Sequence, residues 1–279
     1  MKYRGVFHAH SKHSYDGETP LPELCAALRG RGYHFLLLTE HDDKLDAGAY
    51  GRIVEECRAL SGAEFLVVPG LEVRCWRTER EQWHIAAVGV ERWIERGPIP
   101  EVVARIQAAG GLAVFLHPHK YAEEVDPAAL AIFDAVEMWN GKEDGAYAPP
   151  RKTLQLARAV TQTARRPVMV GHDLHSAREQ FPLAIEVGAE KLEARAILER
   201  IRAGDFLLRA RGMTMSPRTG PSAGQMFSLA LWRGIYVAYA RLAGMPGVGG
   251  ALRAARGGLR GGTPGQGKPG NSPNTPSTS

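Results

Sequence analysis

Short apolar segments alternate with amphipathic segments over most of the chain, and this pattern constrains the fold more than any other feature. Strand-like apolar runs rich in β-branched residues cover residues 3–8, 35–39, 65–69, 85–90, 112–117, 135–139 and 167–171. The amphipathic segments predict helices at residues 21–29, 47–60, 99–109, 151–163 and 191–202. Such repeated alternation favours an α/β fold, either a parallel barrel or a doubly wound sheet.

Polar residues that could bind a metal or take part in catalysis follow the predicted strands, at the point where each strand ends. They are His8, His10, Glu40, His41, Asp42, Glu72, His117, His119, His172, Asp173 and His175. In α/β folds, functional residues gather at the C-terminal ends of the strands. His84 is the exception, because it lies at the start of its run. We therefore expect this strand to run antiparallel, or the chain to enter it from a loop at the same edge.

Histidines dominate this set, which suggests metal binding. In a strand, residues i and i+2 point to the same side, so His8 and His10 can aim two imidazoles at one ion. On their own, the two are equally consistent with one core and one solvent-facing histidine. Nine of the ten histidines, however, lie near predicted strand ends, and only His34 stands apart. This clustering predicts a polynuclear site, whose His, Asp and Glu donors suit Zn, Mn or Fe better than Ca or Mg.

The charge of the chain is divided unevenly. The formal net charge is +5, but the chain has no acidic residue after Asp205 and nine basic ones. The preceding part is mildly acidic, so the basic total does not indicate that it binds nucleic acid. Three cysteines without CxxC spacing (Cys25, Cys57 and Cys75) predict reduced, buried thiols. Together with the lack of an apolar signal segment near Met1, they predict a cytoplasmic protein.

The C-terminal part changes character at residue 209. Residues 226–243 are apolar and aromatic but contain Arg233, which argues against a bilayer span. We favour a helix packed on the body or on a second copy. A helix lying on anionic lipid, with Trp232 and Tyr236 at headgroup depth, is the less favoured alternative. Residues 245–279 are rich in Gly, Pro, Ser and Thr, a composition that predicts disorder.

Six motifs follow one another along the chain: His8-Ala9-His10-Ser11 with Ser14-Tyr15-Asp16-Gly17, then Thr39-Glu40-His41-Asp42, Gly70-Leu71-Glu72, His84, His117-Pro118, and Gly171-His172-Asp173-Leu174-His175. In this order they resemble the motifs of the PHP family, the polymerase and histidinol phosphatase superfamily. The resemblance covers roughly residues 2–208. It implies a distorted (β/α)7 barrel over residues 1–208, followed by a basic extension with an apolar helix at 209–244 and a disordered tail at 245–279.

The resemblance also implies a set of ligands for two or three divalent metals. His8, His10, Glu72 and Asp173 would hold one metal, and Glu72 would bridge to a second metal held by His84 and His117. Asp16, His41 and His175 would hold a third. Asp16 stands where some family members have histidine. Glu72 and Asp173 are the residues expected to serve catalysis as well as binding. A carboxylate suits the bridging role, because its two oxygens can bind two cations.

This ligand set predicts hydrolysis of a phosphoester by a metal-bridging hydroxide. The expected substrate is a small phosphorylated molecule or a nucleotide. One alternative is a nuclease or oligonucleotide phosphodiesterase whose basic tail holds nucleic acid, and a less favoured one is a non-catalytic metal-binding module. The substrate contacts stay unassigned. Candidates near the predicted strand ends are Arg74, Arg77, Lys120, Asn140 and Arg178, each of which is otherwise an ordinary surface residue.

Overall fold

The computed structural model describes residues 1–79, 81–120, 125–144 and 148–244. The chain divides into two units, Met1–Arg233 and Gly234–Ser279. The strands are β1 (Lys2–Phe7), β2 (Phe35–Leu37), β3 (Glu40–His41), β4 (Leu66–Val68), β5 (Gly70–Trp76), β6 (Gln82–Val88), β7 (Leu112–Phe115), β8 (Ala135–Asn140), β9 (Val168–Gly171), β10 (Leu183–Gly188), β11 (Phe206–Ala210) and β12 (Met213–Met215). The α-helices are α1 (Leu21–Gly30), α2 (Ala47–Leu60), α3 (Ile99–Ala108), α4 (Arg151–Ala159), α5 (Ala194–Arg202) and α6 (Ala223–Gly244).

The strands form two six-stranded sheets. The first has the order β12-β11-β10-β1-β2-β4, and the second has the order β3-β5-β6-β7-β8-β9. Pairing is parallel between β1, β2 and β4, between β3 and β5, and between β7, β8 and β9. It is antiparallel along β5-β6-β7 and from β1 through β10 and β11 to β12. The fold is therefore mixed α/β.

The two sheets meet where several strands end. The chain passes directly from β2 to β3 and from β4 to β5, so it leaves the first sheet and enters the second twice. On the other side, the backbone N–H of His172 donates to Phe7 at 2.8 Å, and that of His10 donates to Leu174 at 2.7 Å. These bonds bring the chain after β1 beside the chain after β9. The segments that carry most of the predicted ligands thus lie at one edge of both sheets.

Two apolar clusters stabilise this arrangement. One contains the buried faces of α1, α2 and α3 together with strand residues such as Val6 and Leu36. The other contains the alternate strand residues, among them Phe7, Phe35 and Leu37, and the buried side chains of α5. Because successive strand residues point to opposite faces, each inner strand supplies both clusters. These strands are buried on both sides, as their nearly continuous apolar runs require.

The seven predicted strands and the predicted helices are confirmed, with shifted ends. The expectation of a parallel sheet is only partly right, because β5, β6 and β10–β12 make antiparallel pairs. Sequence patterning missed β5 as a separate strand and missed β10–β12 entirely. The predicted boundary at residue 208 falls inside β11. The predicted helix at 151–163 exists, but α4 ends at Ala159 and a π-helical turn covers Val160–Ala164.

The C-terminal predictions have different outcomes. The apolar helix is present as α6, and within the described residues no helix has the length and hydropathy that a membrane span needs. The predicted disordered tail at 245–279 lies outside the described residues. Cys25, Cys57 and Cys75 are buried free thiols, as predicted. Burial raises the pKa of Cys25 to about 12, so this thiol stays protonated at neutral pH.

Candidate metal centre

Among the described residues, four overlapping groups of possible metal-ligand side chains lie together at the edge where the sheets meet. Within each group, one ligand atom from every residue lies within 4.8 Å of the others. The groups are His8, His10 and Glu72; His8, His117 and Asp173; Glu72, His84 and His117; and His10, His41 and His175. The structure therefore brings together eight of the nine predicted ligands in these groups, and Asp16 lies beside the last one.

Glu72 is the centre of this arrangement. Its Oε2 lies 2.9 Å from His8 Nε2 and 3.2 Å from His10 Nε2. Its Oε1 lies 2.5 Å from His84 Nδ1 and 3.1 Å from His117 Nε2. Each carboxylate oxygen thus faces its own pair of imidazoles. This is the geometry that a carboxylate bridging two cations needs.

Asp173 completes the first pair of imidazoles. Its Oδ1 lies 3.5 Å from His8 Nε2 and 3.4 Å from His10 Nε2. Its Oδ2 accepts a hydrogen bond from Asn140 Nδ2 at 3.1 Å. One oxygen is therefore directed to the histidines while the other is held by an amide, which fixes the orientation of the carboxylate.

The third predicted ligand group lies further out. Asp16 Oδ2 is 3.0 Å from His175 Nε2 and 3.5 Å from His41 Nε2. The His41 ring stacks on the His10 ring with 4.2 Å between centroids, which joins this group to the first. The Asp16 side chain is about one-third exposed, at 32%. The site therefore reaches solvent on this side.

Two buried polar atoms in this region make no hydrogen bond among the described residues: His10 Nε2 and Asp16 Oδ1. Buried polar atoms without a partner are rare and call for an explanation. His10 Nε2 faces Glu72 and Asp173 without the geometry of a hydrogen bond to either. Atoms that converge on a common point rather than on each other fit a metal ion between them. The donor set of imidazoles and carboxylates fits the same group.

Ser14 fixes the tautomer of His10 that such binding requires. The Ser14 hydroxyl donates its single hydrogen to Glu40 and accepts from the backbone N–H of His41 at 2.9 Å. The Ser14 oxygen must therefore also accept the 3.3 Å hydrogen bond from the Nδ1–H of His10. The lone pair of His10 is consequently on Nε2, which faces Glu72. Glu40 supports the ligand His10 through this hydroxyl.

The electrostatics match a site built for cations. Burial lowers the pKa of His10, but the carboxylates of Asp173 and Glu72 outweigh it and raise the pKa to about 9. Burial raises the pKa of Glu72, but His8, His10 and His117 outweigh it and hold that pKa well below its usual value. Burial lowers the pKa of His41 to about 4, so this imidazole is neutral at pH 7 with a free lone pair. In the metal-free protein, protons on the imidazoles balance the carboxylates.

Three of the gathered residues have left-handed backbone. The φ angles are 66° for His8, 51° for His117 and 54° for Asp173. The expectation that His8 and His10 converge through strand alternation is therefore wrong in its reason, because β1 ends at Phe7. The rings do converge, with 5.3 Å between centroids, but the turn at His8 produces this. Unfavourable backbone of this kind concentrates at functional sites.

The exceptional position of His84 is explained by the strand direction. β6 runs antiparallel to β5, and His84 is paired with Arg74. The start of β6 therefore lies at the same edge as the end of β5. This confirms the first of the two explanations drawn from the sequence.

Sequence patterning missed Glu137, a fully buried acid in β8. Its Oε1 accepts from His8 Nδ1–H at 2.8 Å, and its Oε2 accepts from the backbone N–H of His117 at 3.0 Å and from Asn140 Nδ2 at 3.2 Å. A carboxylate that takes the outer N–H of a histidine fixes its tautomer and directs the other nitrogen to a metal. The only signal in the sequence was an acid within the apolar run AVEMWN.

Asn140 and Gly171 support Glu137. Asn140, predicted as a substrate contact, is fully buried, and its amide lies 3.2 Å from His117 Nδ1 and 3.1 Å from Asp173 Oδ2. It therefore orients ligands rather than facing solvent. Gly171 is required because a Cβ there would lie 1.8 Å from Glu137 Oε1 and 3.2 Å from the His8 Cβ.

The remaining histidines with described side chains lie outside the cluster. His13 Nε2 contacts Glu56 at 2.6 Å, and His34 Nδ1 accepts from the backbone N–H of Arg4. His172 was expected to be a polar residue at the edge, but it is buried between the carbonyls of Phe7 and Leu183. Burial lowers its pKa to about 4. Asp42, another polar residue that follows a predicted strand, binds Arg96 through both oxygens rather than a ligand imidazole.

Comparisons with known proteins bear on the fold. No protein-family model and no curated protein matches the sequence. A two-domain protein from Bacteroides vulgatus containing a predicted PHP-like metal-dependent phosphoesterase has a similar structure, with a TM-score of 0.58, 15% identity, and coverage of 83% of this chain and 70% of that chain. A protein from Bifidobacterium adolescentis that is named a metal-dependent phosphoesterase has a TM-score of 0.51 and 14% identity, and the match covers 71% of this chain and 95% of that chain. PsfC from Pseudomonas syringae has a TM-score of 0.53 and 15% identity, and the match covers 84% of this chain and 97% of that chain.

This chain has the fold of PHP-like metal-dependent phosphoesterases. The resemblance drawn from the six motifs is thereby confirmed at the level of the fold. At 14–15% identity, these likenesses do not extend to the substrate. The chemistry has to be argued from the side chains.

Proposed function

We propose that this protein is a metal-dependent phosphoesterase that hydrolyses a phosphate mono- or diester of a small molecule or nucleotide. The observation that carries the proposal is the division of Glu72 between two pairs of imidazoles, one at each oxygen. A second supporting observation is the unpartnered, buried His10 Nε2 beside it. The unpartnered His10 Nε2 is not expected of a histidine that serves only to stabilise a fold, because buried polar atoms are normally hydrogen-bonded.

We propose that the ligands divide among three sites, as the sequence suggested. His8, His10, Glu72 and Asp173 would hold one ion, Glu72 would bridge to a second held by His84 and His117, and Asp16, His41 and His175 would hold a third. We propose Zn, Mn or Fe, because nitrogen donors outnumber oxygen donors. When bound, divalent ions in such an arrangement supply an activated bridging water or hydroxide and neutralise charge on the phosphoryl oxygens.

The protein groups around the ligands orient them. Glu137 holds His8 with Nε2 directed inward, and Ser14 does the same for His10. The two amide hydrogens of Asn140 hold Asp173 and Glu137 in place. Glu72 and Asp173 place negative charge at the centre of the site, which favours cations over a neutral occupant. The likeness to two proteins named as phosphoesterases supports this assignment and supports a distorted (β/α)7 barrel formed by the two sheets.

The experiment is elemental analysis of freshly purified protein, combined with hydrolysis of an aryl phosphate and an aryl phosphodiester. His8→Ala and Asp173→Ala are the test variants. His34→Ala is the matched control, because His34 lies outside the cluster. We expect two or three transition-metal ions per chain in the wild type and the control, and loss of metal and hydrolysis in both test variants.

The ester that is hydrolysed faster distinguishes a monoesterase from a phosphodiesterase or nuclease. A wild-type protein without transition metal, or hydrolysis that both substitutions leave unchanged, would contradict the proposal. Bound metal without turnover of either ester would favour a metal-binding module instead. Circular dichroism of each variant shows whether a loss reflects the site or the fold.

A further inference from the structure

The β5-β6 hairpin carries an extended face that continues outward from the metal centre. Residues at i and i+2 of a strand share a face, so Glu72, Arg74 and Trp76 lie on the same side of β5. Opposite residues of an antiparallel pair also share a side, and His84 lies opposite Arg74. The face therefore begins with two proposed ligands and continues with a guanidinium and an indole.

Exposure rises along this face. Glu72 is 2% exposed, the Arg74 side chain is 35% exposed, and Trp76 is 40% exposed. Val73 and Cys75, which point the other way, are fully buried in the core. The gradient means that the face leads from the buried ligands to solvent. A molecule bound at Glu72 would therefore lie against Arg74 and then Trp76 on its way out.

Arg74 is held in position from one end only. Its Nη2 donates to Asp43 Oδ2 at 2.7 Å, and Asp43 in turn accepts from Arg96 at 2.8 Å. Arg96 is itself held by both oxygens of Asp42, at 2.6 and 2.8 Å. Across the described part of the chain, Nε and Nη1 of Arg74 have no hydrogen-bond partner. This network fixes the guanidinium and leaves donors available next to the metal centre.

Tyr15 lies on the other side of the same opening. Its ring stacks on His41 with 5.0 Å between centroids, and half of the side chain is exposed. Tyr15 and Arg74 therefore both lie beside proposed ligands, His41 and His84 respectively.

We propose that this face of β5 is the substrate-binding wall of the site. Arg74 donates to a non-bridging oxygen of the phosphoryl group, and Trp76 stacks on a flat aromatic ring in the leaving group. The inference rests on the proposed phosphoesterase function. Two residues of a strand span about 7 Å, which leaves room for a pentose between the phosphoryl group and the ring. The substrate class is thus a phosphate ester whose leaving group carries an aromatic ring.

The physical reasons differ for the two residues. A guanidinium offers charge and directed donors to phosphoryl oxygens, so its loss affects every phosphate ester. Stacking on an indole affects only esters that carry a ring, and loss of one stacking side chain weakens nucleobase binding about 5- to 150-fold. Arg77, a candidate substrate contact from the sequence, is instead bound by both oxygens of Glu81, and it therefore serves as the control for Arg74.

The test uses the full-length, metal-loaded protein and two substrates that differ only in the ring, a nucleoside 5′-monophosphate and ribose 5-phosphate. We expect Trp76→Ala to lower kcat/KM about tenfold for the nucleotide and to leave ribose 5-phosphate unchanged. Arg74→Gln should lower kcat/KM at least tenfold for both and weaken inhibition by inorganic phosphate, with partial recovery in Arg74→Lys. Arg77→Gln should match the wild type, and metal content should stay constant throughout.

Equal losses on both substrates in Trp76→Ala would overturn the role of Trp76. An Arg74→Gln protein indistinguishable from Arg77→Gln would overturn the role of Arg74. If the wild-type protein hydrolyses neither ester, the proposed function fails separately. The wall is then judged by calorimetric binding of the nucleoside monophosphate and of inorganic phosphate to the same variants, with the same pattern of losses expected.

Discussion

Replacing Glu137 with glutamine should weaken metal binding about 10- to 100-fold, although Glu137 touches no metal in the proposed site. All of its hydrogen-bond partners are donors: His8 Nδ1–H, the backbone N–H of His117, and the Asn140 amide. Glutamine has one accepting oxygen and one donating nitrogen. If the new NH2 faces His8, that imidazole must move its proton to Nε2, the nitrogen directed at Glu72. If it faces His117, a buried backbone N–H loses its acceptor.

The free-energy cost of each outcome has a typical magnitude. Substituting a group that orients a metal-binding histidine costs 10- to 100-fold in metal affinity or activity, which corresponds to about 1.4–2.8 kcal/mol of binding free energy. An unsatisfied buried donor costs about 1–3 kcal/mol of stability. The assay is competition with a chromophoric chelator for metal affinity, together with urea unfolding of the metal-free protein for stability.

Asp134→Asn is the matched control for this prediction. Asp134 is also a buried carboxylate, and it accepts the backbone N–H of Ala113 at 2.9 Å without contacting a proposed ligand. The control should lose some stability and keep its metal affinity. Unchanged metal affinity in Glu137→Gln, or an equal loss of affinity in both variants, would refute the role assigned to Glu137.

Three further predictions concern the same layer of residues. The pKa of His10 is about 9 in the metal-free protein, against 6.5 for an ordinary histidine, so a metal must displace a proton to bind. Metal affinity measured by chelator competition should therefore rise about tenfold per pH unit from pH 6.5 towards pH 9. A metal affinity that does not change with pH would contradict this prediction. The stabilising contribution of that proton to the metal-free protein is complete below pH 6.5 and is lost as pH rises through 9. Gly171→Ala should cost about 1–3 kcal/mol in urea unfolding and also reduce metal content, because its Cβ would overlap Glu137; normal metal content would contradict this. Ser14→Ala should cost about 1–3 kcal/mol and loosen metal binding, because Glu40 loses a donor and His10 loses its acceptor; Ser222→Ala, at the start of α6, serves as the control.

The gathering of the ligands could be predicted because it depends on chain direction rather than on detailed packing. Parallel strands end at one edge, so residues that follow several strands meet there whatever the exact twist. His84 shows the limit of this reasoning. The sequence showed that His84 lies at the start of its strand rather than at the end. Only the antiparallel pairing of β5 with β6 shows why His84 still lies with the other ligands.

The missed strands have a physical explanation in their pairing. β10 pairs with β1 across more than 180 residues, and the register from Lys2 to Gly188 is set by the tertiary fold. Its sequence, LAIEVG, is short and lacks turn residues of a hairpin with its partner. The pairing of β10 with β1 leaves no local signal, whereas β11 and β12 pair across the two-residue turn Arg211-Gly212, a local hairpin signal that the sequence patterning missed.

Glu137 was missed for a related reason. An acid in a strand usually marks the solvent-facing side, and alternation alone cannot show that this side is filled by a metal centre. The structure shows that three donors converge on the carboxylate. A buried acid is tolerated only with such partners. The informative signal was therefore the apolar character of the whole run AVEMWN. A run this apolar is buried on both sides, so its one acid is buried as well.

Three of the six non-glycine residues with left-handed backbone in the described part of the chain belong to the metal centre. His8, His117 and Asp173 occupy φ angles at which glycine carries no steric penalty, and each such residue costs about 1–3 kcal/mol. Glycine occupies this conformation elsewhere in the chain, for example at Gly89 and Gly110, where no side chain is needed. At these three positions a donor side chain is kept despite the cost. The backbone turns sharply just after the strand, and the turn directs imidazole and carboxylate groups to the edge where the sheets meet. Residue type alone could not reveal this, because histidine and aspartate at strand ends are equally compatible with extended backbone.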